Sequence, residues 1–574
     1  VCTGELISCG TPCKFQGKVD WFSNPTYNKY AEWTWQLSRH NEWKILAHMY
    51  RKTGNEKYAK TCADLFESWV KQAVRPDDTE GFQTLCWRTI ECGIRMGANW
   101  PYVLHSFYTS EAFTDDILVD WYKSVYEHAV RLKDHHMSGN WLIMEMNGLA
   151  HISILYEEFK QAKEWRNFAF AMLGEELKKQ IYPDGFQYEL STGYHDVVIN
   201  NFQRLIRTAQ AYEVNVPEEF YQVLEKAAQI NVKLMMPSGQ VPDINDGNWK
   251  QAADLLEPKM ELFPDNTVFQ WVVSKGKQGE KPSFTSCVLP YSGFAVMRTG
   301  WKKEDTWGLL DCAPFGRGHQ HEDKLSFLMY AGGKLLLTEG GNYAYDTSKM
   351  REYVLSSASH NTILVDGMGQ NRRKNYVWKD EDIKKKADMQ YSLTDDVDYA
   401  KAEYTEGYGD DVDRSVEHCR EVYFMKRIEE TKPFFIVVDR IKADKEHTYE
   451  LLWHLNEDWA QLQKKMTVTK NLTVFTAEDI PEWELIIGQE DPQWQGFVAT
   501  ASIQGCYRPV PTLSQKIKGK ETRIVTVFYP GSGWGCPMED VMASNDPKDG
   551  IIVIRMKDKR ELYLDEKQLR GTVE

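Results

Sequence analysis

The sequence predicts a multidomain α+β chain, with an array of helices in its N-terminal half and an antiparallel β-sandwich in its C-terminal half. Three observations lead there. Apolar residues recur at helical spacing through about the first 255 residues. Over 275–286 the composition turns to Gly, Lys, Pro and Ser, and the helical period stops. Beyond that stretch, short runs rich in β-branched and aromatic residues alternate with Gly, Asp and Asn turns. A chain of 574 residues with 42% hydrophobic content exceeds one ordinary domain. We place a first domain at 1–274, a linker at 275–286 and a second domain at 287–574.

In chain order, helices are expected at 30–53, 56–74, 84–107, 115–133, 141–159, 162–181, 194–212 and 217–236, most with Trp or Tyr among Leu and Ala. Helices of about 20 residues joined by short loops are antiparallel neighbours, so the array is curved or closed. Strands are expected at 306–312, 325–337, 362–365, 434–438, 449–455, 523–529 and 551–556. Many short strands at such spacing make a sandwich of antiparallel sheets. The charged stretch 379–386 reads as a solvated loop or helix.

Composition removes several functions. A net charge of −15 argues against nucleic acid, whose binding needs a basic surface. It leaves a polyanionic substrate open if the cleft is locally basic. No run of about 18 apolar residues occurs, so no span of a bilayer is expected. The start Val1-Cys2-Thr3 has no initiator Met and no apolar leader, and reads as a mature or an artificially cut start, with any export signal out of view. The eleven Cys form no regular framework, although Cys2, Cys9 and Cys13 could pair locally in an oxidising compartment. Twenty Trp and 29 Tyr mostly fill cores, and any surplus suits a groove for sugar rings.

Three segments look chemical. Gly316-Arg317-Gly318-His319-Gln320-His321-Glu322-Asp323 sets two imidazoles at i and i+2, on one face if extended, beside glycines that admit a substrate backbone. One His could do proton chemistry while its neighbour binds a metal. Glu339 and His360 follow on separate predicted strands, and with His321 they make an N/N/O metal set. His-x-His alone is more often a pair of solvated loop residues. Ser138-Gly139-Asn140-Trp141 opens a predicted helix, where Asn140 either caps the helix or offers its amide to a ligand. The stretch 182–195, Tyr-Pro-Asp-Gly-Phe-Gln-Tyr-Glu-Leu-Ser-Thr-Gly-Tyr-His, is a polar, aromatic loop of a kind rarely kept for packing.

Gly-Asn-Trp, Asp-Gly-Phe-Gln-Tyr-Glu-Leu-Ser-x-x-Tyr-His, Gly-x-Gly-His-x-His-x-Asp and Ser359-His360-Asn361-Thr362 with Asp366-Gly367, in that order, resemble the heparinase II/III-like polysaccharide lyases, with the heparinase III branch the nearest match. The likeness runs from about 30 to 366 and more loosely onward. It implies an incomplete (α/α) toroid followed by an antiparallel β-sandwich, with the active site in the cleft between them. It also implies β-elimination at a 4-linked uronic acid, which needs the carboxylate neutralised, the C5 proton removed and the leaving oxygen protonated.

By this resemblance Asn140 neutralises the carboxylate. Tyr194 protonates the leaving oxygen and, for one epimer, takes the C5 proton. His319 serves as base or assists on the opposite face. His321, Glu339 and His360 match the family's ligands for a structural divalent metal, zinc first, calcium or manganese otherwise; relatives commonly carry Asp in place of Glu339. Tyr343 matches a sugar-contacting tyrosine, and Gln187, Glu189 and His195 belong to the substrate-binding loop. Several relatives have His after the catalytic Asn where this chain has Trp141, which can stack on a sugar ring. Arg88 is then a candidate second donor.

The implied partner is an acidic polysaccharide: heparan sulfate or heparin first; alginate, hyaluronan or chondroitin second. By analogy the protein is a periplasmic or secreted bacterial enzyme, a monomer or homodimer. Two rivals stand beside this reading. A glycoside hydrolase would use Asp184 with Glu189 or Asp246 as its two carboxylates, and a carbohydrate-binding protein would do no chemistry.

Overall fold

The computed structural model describes residues 1–77, 85–477 and 481–571. The chain divides into two compact units, the first comprising 1–181, 196–226 and 345–347, the second 182–195, 227–344 and 348–574. Residues 275–286 lie within the second unit. After a short N-terminal hairpin, helices precede the large sheets, as expected.

The first unit opens with a hairpin, β1 (Glu5–Ser8) and β2 (Thr11–Lys14), and continues through α1 (Glu32–Leu37), α2 (Asn41–Thr53), α3 (Glu56–Gln72), α4 (Thr89–Ile94), α5 (Trp100–Phe107), α6 (Asp115–His135), α7 (Asn140–Leu155) and α8 (Ala162–Gln180). Next come α9 (Thr192–Ala211) and α10 (Glu218–Leu234). Asn55 and Thr114 cap α3 and α6 through their side-chain oxygens.

Two helices expected to be continuous are broken, each around a buried polar residue. Between α1 and α2, His40 takes a left-handed conformation (φ 59°). Its ring stacks on Trp43 with centroids 3.8 Å apart and accepts a hydrogen bond from Trp100 Nε1 at 3.0 Å. Between α4 and α5 a π turn, Arg95–Asn99, turns Arg95 into the core. There its guanidinium lies over the Trp69 ring and donates to His128 Nε2 at 2.8 Å and Ser38 O at 2.7 Å. Thr84, the expected start of that helix, lies outside the described residues.

Helix α7 is buried around its whole circumference from Leu142 to Ile154, with Glu145, Asn147 and His151 among its apolar residues. Gly139, at φ 71°, holds the position before its first turn, so Asn140 is the first helical residue and not the cap. The helix crosses α4 where Gly148 meets Gly93; a Cβ on Gly148 would stand 2.7 Å from Gly93 O.

The second unit is layered. Five antiparallel strands, Cys287–Leu289, Phe294–Arg298, Trp307–Asp311, Phe327–Ala331 and Lys334–Leu337, form one sheet in sequence order. The expected strand 325–337 is thus a hairpin turning at Gly332-Gly333. A ten-stranded antiparallel sheet follows, with the long strands Phe434–His454 and Pro511–Pro530 paired at its centre. Met297, Leu310, Phe327 and Leu336 of the first sheet share one core with Val422, Val437, Leu451 and Phe528 of the second. The opposite face of the five-stranded sheet, with Val296, Leu309 and Leu328, packs on Ile230, Leu234 and Leu256. The opposite face of the large sheet, with Ile436, Val438 and Val525, packs on a three-stranded sheet through Val541 and Ile554. Both sheets are covered on both sides, so strands such as Phe294–Arg298 are buried throughout and read as apolar runs without alternation.

All eleven cysteines are free, including Cys2, Cys9 and Cys13. Among the described residues no helix is long and apolar enough to cross a membrane.

Because the α4–α7 crossing has no room for a methyl group, Gly148→Ala should destabilise the protein by about 1–3 kcal/mol through overpacking. Denaturant unfolding measures it, and an unchanged midpoint would show that the helices can part at no cost.

Candidate active site

Asp246 organises the second unit's polar loops. Its carboxylate takes both Arg351 amino groups, Nη1 at 2.7 Å and Nη2 at 2.8 Å, and His321 Nε2 at 3.0 Å. Burial opposes the charged form, but His321 and Arg351 hold this carboxyl well below the usual range, so it is ionised at neutral pH. Its amide donates to His319 O at 3.1 Å and its carbonyl accepts from Ser191 Oγ at 2.7 Å. The neighbouring Asn245 donates to Leu190 O at 2.9 Å and accepts from His321 N at 2.7 Å. The loop preceding Tyr194 and the loop carrying His319 are therefore tied to the same two residues. Glycine permits the approach: a Cβ on Gly193 would stand 2.6 Å from Asp246 O.

Tyr194 and His319 meet as a result. Their rings stack with centroids 3.3 Å apart at 12°. Glu189 Oε2 lies 2.8 Å from His319 Nδ1; the His319 side chain is 24% exposed and that of Glu189 6%. Hydrogen bonds also hold the other residues expected to contact substrate. His195 is fully buried, accepts from Gln187 N at 3.2 Å through Nδ1 and donates to Ala227 O at 3.0 Å. Gln187 Oε1 accepts from Glu189 N at 2.9 Å, which shapes the turn that presents Glu189. Tyr343 is buried, and its hydroxyl accepts from Gly505 N at 2.6 Å.

In the first unit, Asn140 lies at the start of α7, almost buried, with Trp141 partly exposed beside it. The Arg88 guanidinium lies 3.6 Å from the Trp35 ring centroid and 4.7 Å from that of Trp141. Its Nε is 3.3 Å from Glu91 Oε2, and Glu91 also takes Arg39 at 3.1 Å. Arg88 is thus an aromatic-sandwiched member of a buried ion pair.

The carboxylates of a hydrolytic site are committed elsewhere. Asp184 accepts from Tyr291 N at 2.9 Å, Ser292 N at 2.8 Å and Ser292 Oγ at 3.1 Å, Glu189 holds His319, and Asp246 holds Arg351.

A metal-competent cluster lies close by in the chain, and it differs from the expected set. Ligand atoms of Asp323, Glu339 and His360, all buried, lie within 4.8 Å of one another. Glu339 and His360 flank strands without belonging to them. Burial pushes the Asp323 carboxyl up to about 6. Burial opposes charging His360, yet Glu339, in contact with its Nδ1, holds it at about 9, so a proton stands among these carboxylates where a cation would bind. His360 Nε2 donates to Val354 O at 3.2 Å, the outer hydrogen bond that fixes a ligating imidazole. His321 turns Nε2 to Asp246, and its buried Nδ1 has no hydrogen-bond partner; its ring lies 5.3 Å from that of His360. Two carboxylates and an imidazole, with an orphaned imidazole nitrogen near, suit a divalent cation. Asp323 was present in the Gly-x-Gly-His-x-His-x-Asp motif but not singled out. Asp246 carried no local signal, because its partners lie 75 and 105 residues away.

Comparisons with known proteins point to one family. The family description Heparinase II/III N-terminus matches residues 9–271, and Heparinase II/III-like, C-terminal matches 282–502. A Heparin-sulfate lyase of Pedobacter heparinus is 27% identical over 95% of this chain and 81% of its own. A second protein of that name, from Bacteroides stercoris, is 24% identical over 76% of this chain and 66% of its own. A solved structure described as Heparinase III superposes with a TM-score of 0.81 at 22% identity, covering 96% of this chain and 85% of that one, which supports the toroid-plus-sandwich fold. These matches define a polysaccharide lyase. The chain belongs to the heparinase II/III family.

If the Asp246–Arg351 pair holds the two loops, Arg351→Met should cost about 3–5 kcal/mol, the penalty for stranding a buried charge. Arg351→Lys, keeping the charge but not the two-point contact, should cost less. Denaturant unfolding of both variants decides it, and full stability in Arg351→Met would remove Asp246 from its central role.

Proposed function

We propose that this lyase cleaves heparan sulfate or heparin-type glycosaminoglycan at uronic acids by β-elimination, leaving a 4,5-unsaturated uronate. The Tyr194–His319 stack is the observation that carries the reading: a phenol and an imidazole held face to face provide two proton-transfer groups at one place. Two relatives named for heparin-sulfate lysis support the substrate.

Asn140 is assigned to the uronate carboxylate, lowering the cost of charge as the C5 proton leaves. For one epimer Tyr194 accepts that proton, for the other His319 does, and Tyr194 returns a proton to the departing glycosidic oxygen. Trp141 is assigned a sugar-stacking contact. Asp323, Glu339 and His360, with His321 adding Nδ1, are the residues that would hold a divalent metal, zinc by first choice; bound there, it would supply order to the segment 319–323. We assign the protein to the periplasm or the extracellular space, where such polymers occur. The linker at 275–286 overlaps the gap between the two family matches, which supports it as the boundary of the two sequence parts.

Ultraviolet absorbance of the unsaturated product should rise on heparan sulfate or heparin. Tyr194→Phe should lower the rate at least about 100-fold. A rise on alginate, hyaluronan or chondroitin instead would replace the substrate, and new reducing ends without absorbance would overturn elimination.

Chelation should lower thermal stability, by about 2.7 kcal/mol for a metal held at 100 times its Kd. Zinc should restore it better than calcium or manganese, and His360→Gln should abolish metal retention in elemental analysis. A chelated protein with unaltered melting and no metal content would exclude the site.

A further inference from the structure

We propose that Glu189 is a positioning residue for His319, fixing its imidazole as the Nδ1–H tautomer so that the proton-accepting lone pair sits on Nε2. The inference rests on the reading of His319 as base or assisting group.

An ionised carboxylate only accepts hydrogen bonds, so the 2.8 Å contact requires Nδ1 to donate and leaves Nε2 as the acceptor. Glu189 is itself held by local backbone geometry. Its amide donates to Gln187 Oε1 at 2.9 Å, and the next residue, Leu190, takes φ 52° while its amide donates to Gln187 O at 2.9 Å. Gly318, at φ 68°, keeps the space before His319 clear; a Cβ there would already touch Glu189 Cδ at 3.4 Å. The stack on the Tyr194 ring at 12° holds the plane of the imidazole, and a half-turn about Cβ–Cγ within that plane would put Cδ2 where Nδ1 now meets Glu189 and lose the hydrogen bond. The tautomer and the orientation are thus fixed from two sides.

When the C5–H bond breaks, its electron pair passes toward the uronate carboxyl and the proton forms a bond to Nε2. Glu189 then faces the imidazolium.

The test is steady-state kinetics on one polysaccharide for Glu189→Gln, Glu189→Asp, His319→Ala and the Glu189→Gln/His319→Ala double variant. Glu189→Gln should lower kcat at least about 10-fold with KM unchanged, because a neutral amide also satisfies the Nε2–H tautomer. Glu189→Asp should recover part of the loss. In the His319→Ala background, Glu189→Gln should cost nothing more, since both act through one group. A raised KM with kcat intact would make Glu189 a substrate contact and overturn the inference, as would additive losses. If His319→Ala is impaired and Glu189→Gln is not, only the role of Glu189 falls. If His319→Ala keeps full kcat, the reading of His319 falls first.

Discussion

The charge on Asp246 is the constraint on which the second unit's loops depend. A buried carboxylate must be paired, and its pairing with Arg351 and His321 draws together segments distant in sequence. Its own peptide groups then reach His319 and Ser191. Electrostatic necessity in the core thereby becomes geometry at the surface: His319 is partly exposed only because the residue that holds its backbone is not. Ser191 extends the effect into α9, since its hydroxyl also accepts from Tyr194 N at 3.3 Å and sets the first turn from which Tyr194 projects.

The same segment joins proton chemistry to the metal-competent cluster. His319, His321 and Asp323 alternate along an irregular stretch, and each has a different partner: Glu189, Asp246 and the Glu339–His360 pair. Such a stretch has few backbone ladder bonds to hold it, so side-chain pairing supplies its order. A cation at Asp323, Glu339 and His360 would fix the far end of the segment.

Periodicity and composition made the order of helices and sheets legible, because amphipathic spacing and β-rich runs report burial directly. They missed the breaks at His40 and Arg95, where buried aromatic and ionic contacts outweigh local helix preference. They also divided strands that run on, such as Phe434–His454, because its middle crosses a polar stretch with a register shift between Lys442 and His447. At the site, Tyr194, His319, Glu339 and His360 were legible from motif order, since their residue types announce chemistry. Gln187 and His195 have the same residue types, but their burial and hydrogen bonds hold the loop, which composition cannot distinguish from sugar contact. Asp246 was visible only as a carboxylate of the rival hydrolase reading, for its importance lies in contacts across 105 residues.

An acidic protein that acts on a polyanion must hide its own carboxylates from the substrate. A net charge of −15 would otherwise oppose binding. Buried carboxylates are answered within each unit: Asp246 by Arg351 in the second, and Glu91 by Arg39 and Arg88 in the first. Glu322 accepts the amides of Arg372 and Arg373, each at 2.9 Å, and Glu406 takes the side chains of Arg372 and Lys324. Salt screens exposed charges within about 10 Å at 0.1 M, so the acidic surface beyond matters less than these compensated groups. Trp141 fits the same logic. It sets an aromatic ring against Arg88, offering a polarised apolar face that adds no negative charge beside Asn140.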